Sequence, residues 1–356
     1  MSLSYAVLYQ FTGGPDGRTP RGGLIDVDGT LYGTTAGNLT THFGGVFALT
    51  TAGKETSLYN FAGGRDGNHP RAALTYRNGV LYGTTEDGGS GYGTVFSVTT
   101  DGAEKVLHRF GGRSDGELPL GALLDLKGAL YGTTSDFGST NHGTVFQITN
   151  KSRFVVLDVF GGSDGSNPVA GLIDEHGVLY GTTASGGASR RGTIFRITFA
   201  GVKTLHSFVG GSDGSTPYSD LTDVGGTLYG TTRNGGSGAG CAGGCGTVFK
   251  MKTDGTGYDV LYSFAGGNDG AGPVAGLLDV NGTLYGTTEQ GGAQGRGTVF
   301  AIDLSSGVEQ VVHSFAGGTD GASPEAGLIE VGDALYGTTA NGGARHFGIV
   351  YTLSGI

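Results

Sequence analysis

The sequence predicts an all-β protein built as a seven-bladed β-propeller, and three observations carry that prediction. Leu-Tyr-Gly-Thr-Thr occurs seven times, beginning at Leu31, Leu81, Leu130, Leu179, Leu228, Leu284 and Leu335. Its tyrosines (Tyr32, Tyr82, Tyr131, Tyr180, Tyr229, Tyr285 and Tyr336) are spaced by 50, 49, 49, 49, 56 and 51 residues, a propeller-sized period where solenoid coils are usually shorter. Each period holds four strand signals and no helical period. One four-stranded sheet cannot bury both of its faces, so seven stacked radially about an axis is the natural solution.

The sixth copy gives the elements in order. Strand A is "VAGLLDV" (Val274 to Val280), followed by an Asn-Gly turn and strand B, "TLYGTT" (Thr283 to Thr288). A Gly-rich loop leads to strand C, "GTVFAID" (Gly297 to Asp303), and strand D is "EQVVHSF" (Glu309 to Phe315). The AB turn reads DG, NG, KG, HG, GG, NG and GD across the copies, which suits a two-residue turn with positive φ. Leu and Tyr of the motif alternate across a blade, so each packs toward a different neighbour. The chain begins with a D-type strand, "YAVLYQF" (Tyr5 to Phe11), and ends with a C-type strand, "GIVYTLS" (Gly348 to Ser354). The N-terminus therefore completes blade seven and removes a free sheet edge. We expect one domain over 1–356, with the outer strand of blade seven at 4–11 and blades at 21–61, 71–110, 120–160, 169–208, 218–264, 274–315 and 325–356.

Composition narrows the partners. The 76 glycines and 8 prolines would suggest disorder in a non-periodic chain, but here they recur in register as turn and close-approach residues. Net charge is -10, pI is near 5.2 and no Lys/Arg-rich run occurs, which argues against nucleic acid and anionic membranes as main partners. No apolar run is long enough for a membrane helix, and the opening "MSLSYAVLYQF" lacks the basic start and apolar core of a signal peptide, although a leader could have been trimmed. We expect a monomer without membrane insertion.

The string "LYGTT..GG....GTVF" resembles the Gloeo/Verruco tandem-repeat family of bacterial proteins, found in cell-surface or exported multi-repeat chains, and the resemblance covers essentially the whole sequence. It implies a propeller in an extracytoplasmic setting and brings no catalytic motif with it. Copies one ("GGVF", Gly44 to Phe47) and seven ("GIVY", Gly348 to Tyr351) depart from the pattern, as expected near a ring closure.

Residues shared by all copies belong to the fold, so a site is sought where the copies differ. Antiparallel order puts the long BC and DA loops at one end of every blade. Each DA loop carries an Asp-Gly (Asp16, Asp66, Asp115, Asp164, Asp213, Asp269 and Asp320); an Asx turn explains it more simply than calcium, and we expect no cofactor. All seven lysines fall in or beside the opposite turns, whereas Arg18, Arg21, Arg65, Arg71, Arg113, Arg190, Arg191, Arg233, Arg296 and Arg345 fall in the DA and BC loops. Guanidinium is the better fork for carboxylate, sulfate or phosphate, although pairing with the acids at that end explains it equally.

Two positions vary on the constant scaffold. The residue before the strand C glycine is Phe43, Tyr92, His142, Arg191, Cys245, Arg296 or Phe347; the residue after the DA proline is Arg21, Arg71, Leu120, Val169, Tyr218, Val274 or Glu325. The surplus of Arg, His and aromatic side chains is densest where blades seven, one and two meet. There we place a ligand site of Arg18, Arg21, Phe43, His69, Arg71, Glu325, Arg345 and Phe347, with His42, His346 and Tyr92 as candidate acid–base groups. His108, His206 and His313 share a D-strand position with Tyr9, Tyr59 and Tyr262 and are structural. Cys241 and Cys245, in "CAGGC" of the enlarged BC loop of blade five, are too few to satisfy zinc and are expected to form a local disulfide, which favours an oxidising compartment.

Three functions stay open: a glycan-binding module on the loop face, a scaffold for proteins, or a lyase on uronate chains. In the lyase, Arg21 or Arg71 neutralises the carboxylate, His42 or His346 removes the α-proton and Tyr92 protonates the leaving oxygen.

Overall fold

The computed structural model describes residues 3–41 and 43–356, so the candidate His42 lies outside the described residues. Seven four-stranded antiparallel sheets form the ring. The first four sheets run A-B-C-D in hydrogen-bonded order, as do the fifth and sixth; in the seventh the N-terminal strand Ser4–Gln10 pairs with the final strand Ile349–Ser354, from Ser4 against Ser354 to Gln10 against Ile349. The only helical pieces among the described residues are single 3-10 turns in four DA loops. Six of the seven AB turns hold both central residues at positive φ, for example Asn281 at 53° and Gly282 at 83°.

Strand A is shorter than its pattern in every blade. In blade six it pairs only over Leu278–Val280, and Val274 to Leu277 instead border the space on the axis. The inner strands converge there, and one edge of each has no sheet to join.

The five repeated residues each have a separate task. Every motif leucine is buried. Leu31 packs with Phe11 of blade seven, whereas Tyr32 packs with Leu74 of blade two, so the two residues glue opposite faces. The glycine makes room for the strand C aromatic: a Cβ on Gly33 would sit 2.6 Å from Cζ of Phe47, and the other copies are similar. The first threonine clasps the next blade. Thr34 donates to the carbonyl of Ala72 (3.1 Å), Thr133 to that of Ala170 (2.9 Å), and Thr338 to that of Gly22 (3.5 Å), which carries the series from blade seven back to blade one. The second threonine ties strand B to strand C, as in Thr288 to Thr298 at 2.8 Å; Gly45 and Ile349 break that tie in copies one and seven.

Each blade interface centres on an edge-to-face aromatic pair, such as Phe11–Phe47 at 5.2 Å and Phe264–Phe300 at 5.0 Å. The seventh pair is Phe315–Tyr351, and the Tyr351 hydroxyl is buried without a hydrogen-bond partner among the described residues, where the other blades carry phenylalanine. A buried unsatisfied hydroxyl costs about 1–3 kcal/mol. Tyr351→Phe should therefore raise the melting temperature; a variant that melts lower than the parent would mean the hydroxyl has a partner.

The DA aspartates are consumed by the fold. Asp66 accepts the Ala62 N–H at 2.6 Å and the Tyr59 hydroxyl at 3.0 Å, and Asp320 accepts the Ala316 N–H at 2.6 Å with His313 Nε2 at 3.2 Å. A bulge in every D strand, for example between the partners of Val299 and Phe300, turns His313 toward blade seven while Glu309, four residues earlier, faces blade five's loop. Across six of the seven interfaces the two positions match; at the other, between blades three and four, Asp158 accepts the Val202 N–H. Tyr9, Tyr59 and Tyr262 face Glu55, Glu104 and Glu309, whereas His108, His206 and His313 stack on Phe154, Tyr258 and Tyr5 at 3.7 to 3.8 Å.

Candidate functional site at the mouth of the axial channel

The DA prolines decide which side chains reach the axis. Pro70 Cδ would sit 3.0 Å from a Cβ on Gly44, the glycine that opens strand C of the blade before it, and every DA proline abuts the corresponding glycine. Proline's fixed φ then turns the chain into the channel, so the following residue lands at its mouth in all seven blades. These residues, Arg21, Arg71, Leu120, Val169, Tyr218, Val274 and Glu325, line a mouth of about 310 Å³ together with Arg233 and Glu289. From the same seven residues the open channel continues inward as a space of about 380 Å³, walled deeper by Gly, Ala and Leu residues of the inner strands. Such volumes suit a ligand of sugar size.

The mouth is divided by chemistry. Blades seven, one and two contribute a charged arc: Arg21 Nη1 lies 2.6 Å from Glu325 Oε2, and Arg71 Nε lies 2.6 Å from Glu86 Oε2. A second charged arc joins Arg233 Nη2 to Glu289 Oε2 at 2.9 Å, with the guanidinium 5.8 Å from the ring centre of the exposed Tyr218. Leu120, Val169 and Val274 supply apolar wall. Burial raises the Glu325 and Glu86 carboxyls above their ordinary range even though Arg21 and Arg71 pull them down. Each ion pair engages one nitrogen of its guanidinium, which has five N–H donors in all, and the three arginine side chains remain about a third exposed.

Of the residues singled out by sequence, Arg21, Arg71 and Glu325 come together at this mouth. Phe43, Tyr92 and Phe347 do not line it. Each covers a DA-loop glycine instead: Phe43 lies over Gly63, Tyr92 over Gly112 and Phe347 over Gly13, and His142, Arg191, Cys245 and Arg296 take the same place in the other blades. Arg345 and His346 are exposed on the BC loop of blade seven, and Arg18 forms a backbone bridge with Gly37. His69 Nδ1 meets Asp87 Oδ2 at 3.0 Å, and with Glu86 these two offer three ligand atoms within 4.8 Å of one another. The Arg71 charge on Glu86 competes with any cation there. Cys241 and Cys245 are bonded, with Cα atoms 5.2 Å apart.

Three residues of the channel were not placed in the site by sequence, although Arg233 had been counted among the loop arginines. Arg233 and Glu289 follow strand B, where the other copies have Ala36, Glu86, Ser135, Ala184 and Ala340. Asp220 stands in the inner wall at a register where the other copies have only Gly23, Ala73, Ala122, Gly171, Gly276 and Gly327. Copy-by-copy comparison of strand A would have found it.

The family model described as the Gloeobacter/Verrucomicrobia repeat matches residues 64–243 and 237–355. Among curated proteins none matches the chain. Solved structures of similar shape include a streptogramin B lyase, 14% identical with a TM-score of 0.65 over 99% of this chain and 98% of that one. Another is an oligogalacturonate lyase from Vibrio parahaemolyticus, 7% identical with a TM-score of 0.59 over 99% and 97%. A putative 6-phosphogluconolactonase from Bacteroides fragilis NCTC 9343 is 16% identical, with a TM-score of 0.55 over 85% of each chain. At these identities the likeness is one of fold.

Proposed function

The chain belongs to the Gloeobacter/Verrucomicrobia repeat family, and on that footing we propose that it is an exported binding module whose axial mouth takes an acidic sugar. The observation that carries this reading is convergence. The constant residues are used up by the blades, while the variable residues after the seven prolines meet in one funnel. Arg21 and Arg71 bind the ligand carboxylate, as planar forks suited to it. Tyr218 gives an open ring against which a sugar face stacks. The Cys241–Cys245 disulfide supports export, since such bonds persist in oxidising compartments.

The test is calorimetric titration with galacturonate and glucuronate oligomers after a glycan-array screen, with absorbance monitored for unsaturated products. Arg21→Ala and Arg71→Ala should each weaken binding by about 1.5–3 kcal/mol, the range for a charge-assisted hydrogen bond. Lys127→Ala, in an AB turn at the far end, should change nothing. If both arginine variants bind every tested glycan like the parent while Arg191→Ala abolishes binding, the site lies elsewhere.

A further inference from the structure

Strand A of blade five departs from the repeat at Asp220. The other six blades carry Gly or Ala at this level because the inner strands crowd one another: a Cβ on Gly171 would lie 3.0 Å from the Ala122 carbonyl oxygen, and one on Gly327 would lie 3.2 Å from that of Gly276. Asp220 nevertheless projects a carboxyl here. It is enclosed by protein, yet it borders the channel and keeps partial access to it. Its Oδ1 accepts the Gly171 N–H at 2.5 Å; its other oxygen has no partner among the described residues. The mouth arginines do not neutralise it. Arg21 and Arg71 stand two residues nearer the mouth in their strands, roughly 7 Å along at about 3.3 Å per residue.

A carboxylate largely enclosed by protein with no countercharge is costly, and six blades close the ring without one. One oxygen ties blade five to the Gly171 N–H of blade four, and a costly carboxyl that leaves its second oxygen facing the channel at a level where six blades need none marks a binding function. We propose that Asp220 makes the waist of the channel a cation site, in which its free oxygen and the inner-strand carbonyls hold a compact positive charge. The backbone adds only oxygen donors at this level, with the Ala122 carbonyl beside Asp220 Oδ1 against Gly171 and the carbonyl of Asp220 itself against Gly276, which favours a hard metal ion of the calcium type. The ammonium group of a small ligand entering from the mouth has the same chemistry, and the two sources are separable.

The experiment uses chelator-treated protein, titrated by calorimetry and thermal shift with calcium, magnesium, potassium and glucosamine up to about 10 mM, beyond the weak end of oxygen-ligand sites. Asp220→Ala is the control variant. It restores the residue class of the other blades and should fold with a melting temperature at or above the parent's. The parent should bind one cation per chain and melt higher with it, and Asp220→Ala should lose that binding at least tenfold. Binding of glucosamine without any metal response also supports the site and names its ligand as an amine. No binding by the parent, or equal binding by Asp220→Ala, overturns the proposal.

Discussion

Deleting residues 1–11 should abolish the cooperative unfolding transition or lower its midpoint by tens of degrees. The N-terminal strand is the outer strand of blade seven, paired along its length with Ile349–Ser354. It also carries contacts to both neighbours. Tyr5 stacks on His313 of blade six at 3.8 Å and donates to the Asp320 carbonyl at 2.6 Å, while Phe11, almost fully buried, forms the aromatic pair with Phe47 of blade one. Removal would open two interfaces and leave a row of unpaired N–H and C=O groups on Ile349–Ser354. Loss of one fully buried Phe alone costs about 3–5 kcal/mol, against a total stability of about 5–15 kcal/mol for a typical domain. Circular dichroism melts and size-exclusion chromatography provide the check. A truncated chain that melts within a few degrees of the parent and elutes at the parent's volume would show that the ring does not depend on this strand.

The second large effect is on pH. Burial lifts the carboxyls of Glu55, Glu104 and Glu309 to about 7, helped by Asp16, Asp66 and Asp269 respectively, and one oxygen of each is buried without a partner among the described residues. The folded state thus holds protons that the unfolded chain has released above about 4.5. Stability contributed by these groups is greatest below that value, declines as pH rises to 7, and is flat beyond. Burial lowers His108, His206 and His313 below the usual 6.5, even though Asp115, Asp213 and Asp320 pull them up. Those groups act in the opposite sense, removing stability as pH falls through 6.5. The triple variant Glu55→Gln, Glu104→Gln, Glu309→Gln should melt higher than the parent at pH 8 and converge with it near pH 4.5. Each half-buried carboxyl contributes on the order of 1 kcal/mol after solvent screening. Melting curves from pH 4.5 to 8.5 test this, and a variant whose curve runs parallel to the parent's would refute it.

How far the sequence reaches can be seen from particular residues. The repeat of Leu31-Tyr32-Gly33-Thr34-Thr35, the primed turns such as Asn281-Gly282, and the unmatched first and last strands determined the blade count, the strand order and the closure, because strand period and turn chemistry are local properties. The pairing of Cys241 with Cys245 was legible for the same reason: they stand four positions apart in one loop. Arg21, Arg71 and Glu325 were picked out together because each follows a proline at the same place in the repeat.

Tertiary structure decided what local pattern cannot. Nothing in a single blade says that the residue after the DA proline faces the axis while the residue before the strand C glycine covers a loop; only the meeting of seven blades separates the two, sending Arg71 to the mouth and Tyr92 onto Gly112. The D-strand bulge, invisible to a count of alternating residues, sends Glu309 and His313 to opposite neighbours and so matches tyrosine to glutamate and histidine to an aromatic ring. Asp220 passed as an ordinary acid in "YSDLTDV" until the ring placed its register at the narrow waist, where the environment is set by residues from other blades rather than by its own neighbours in sequence.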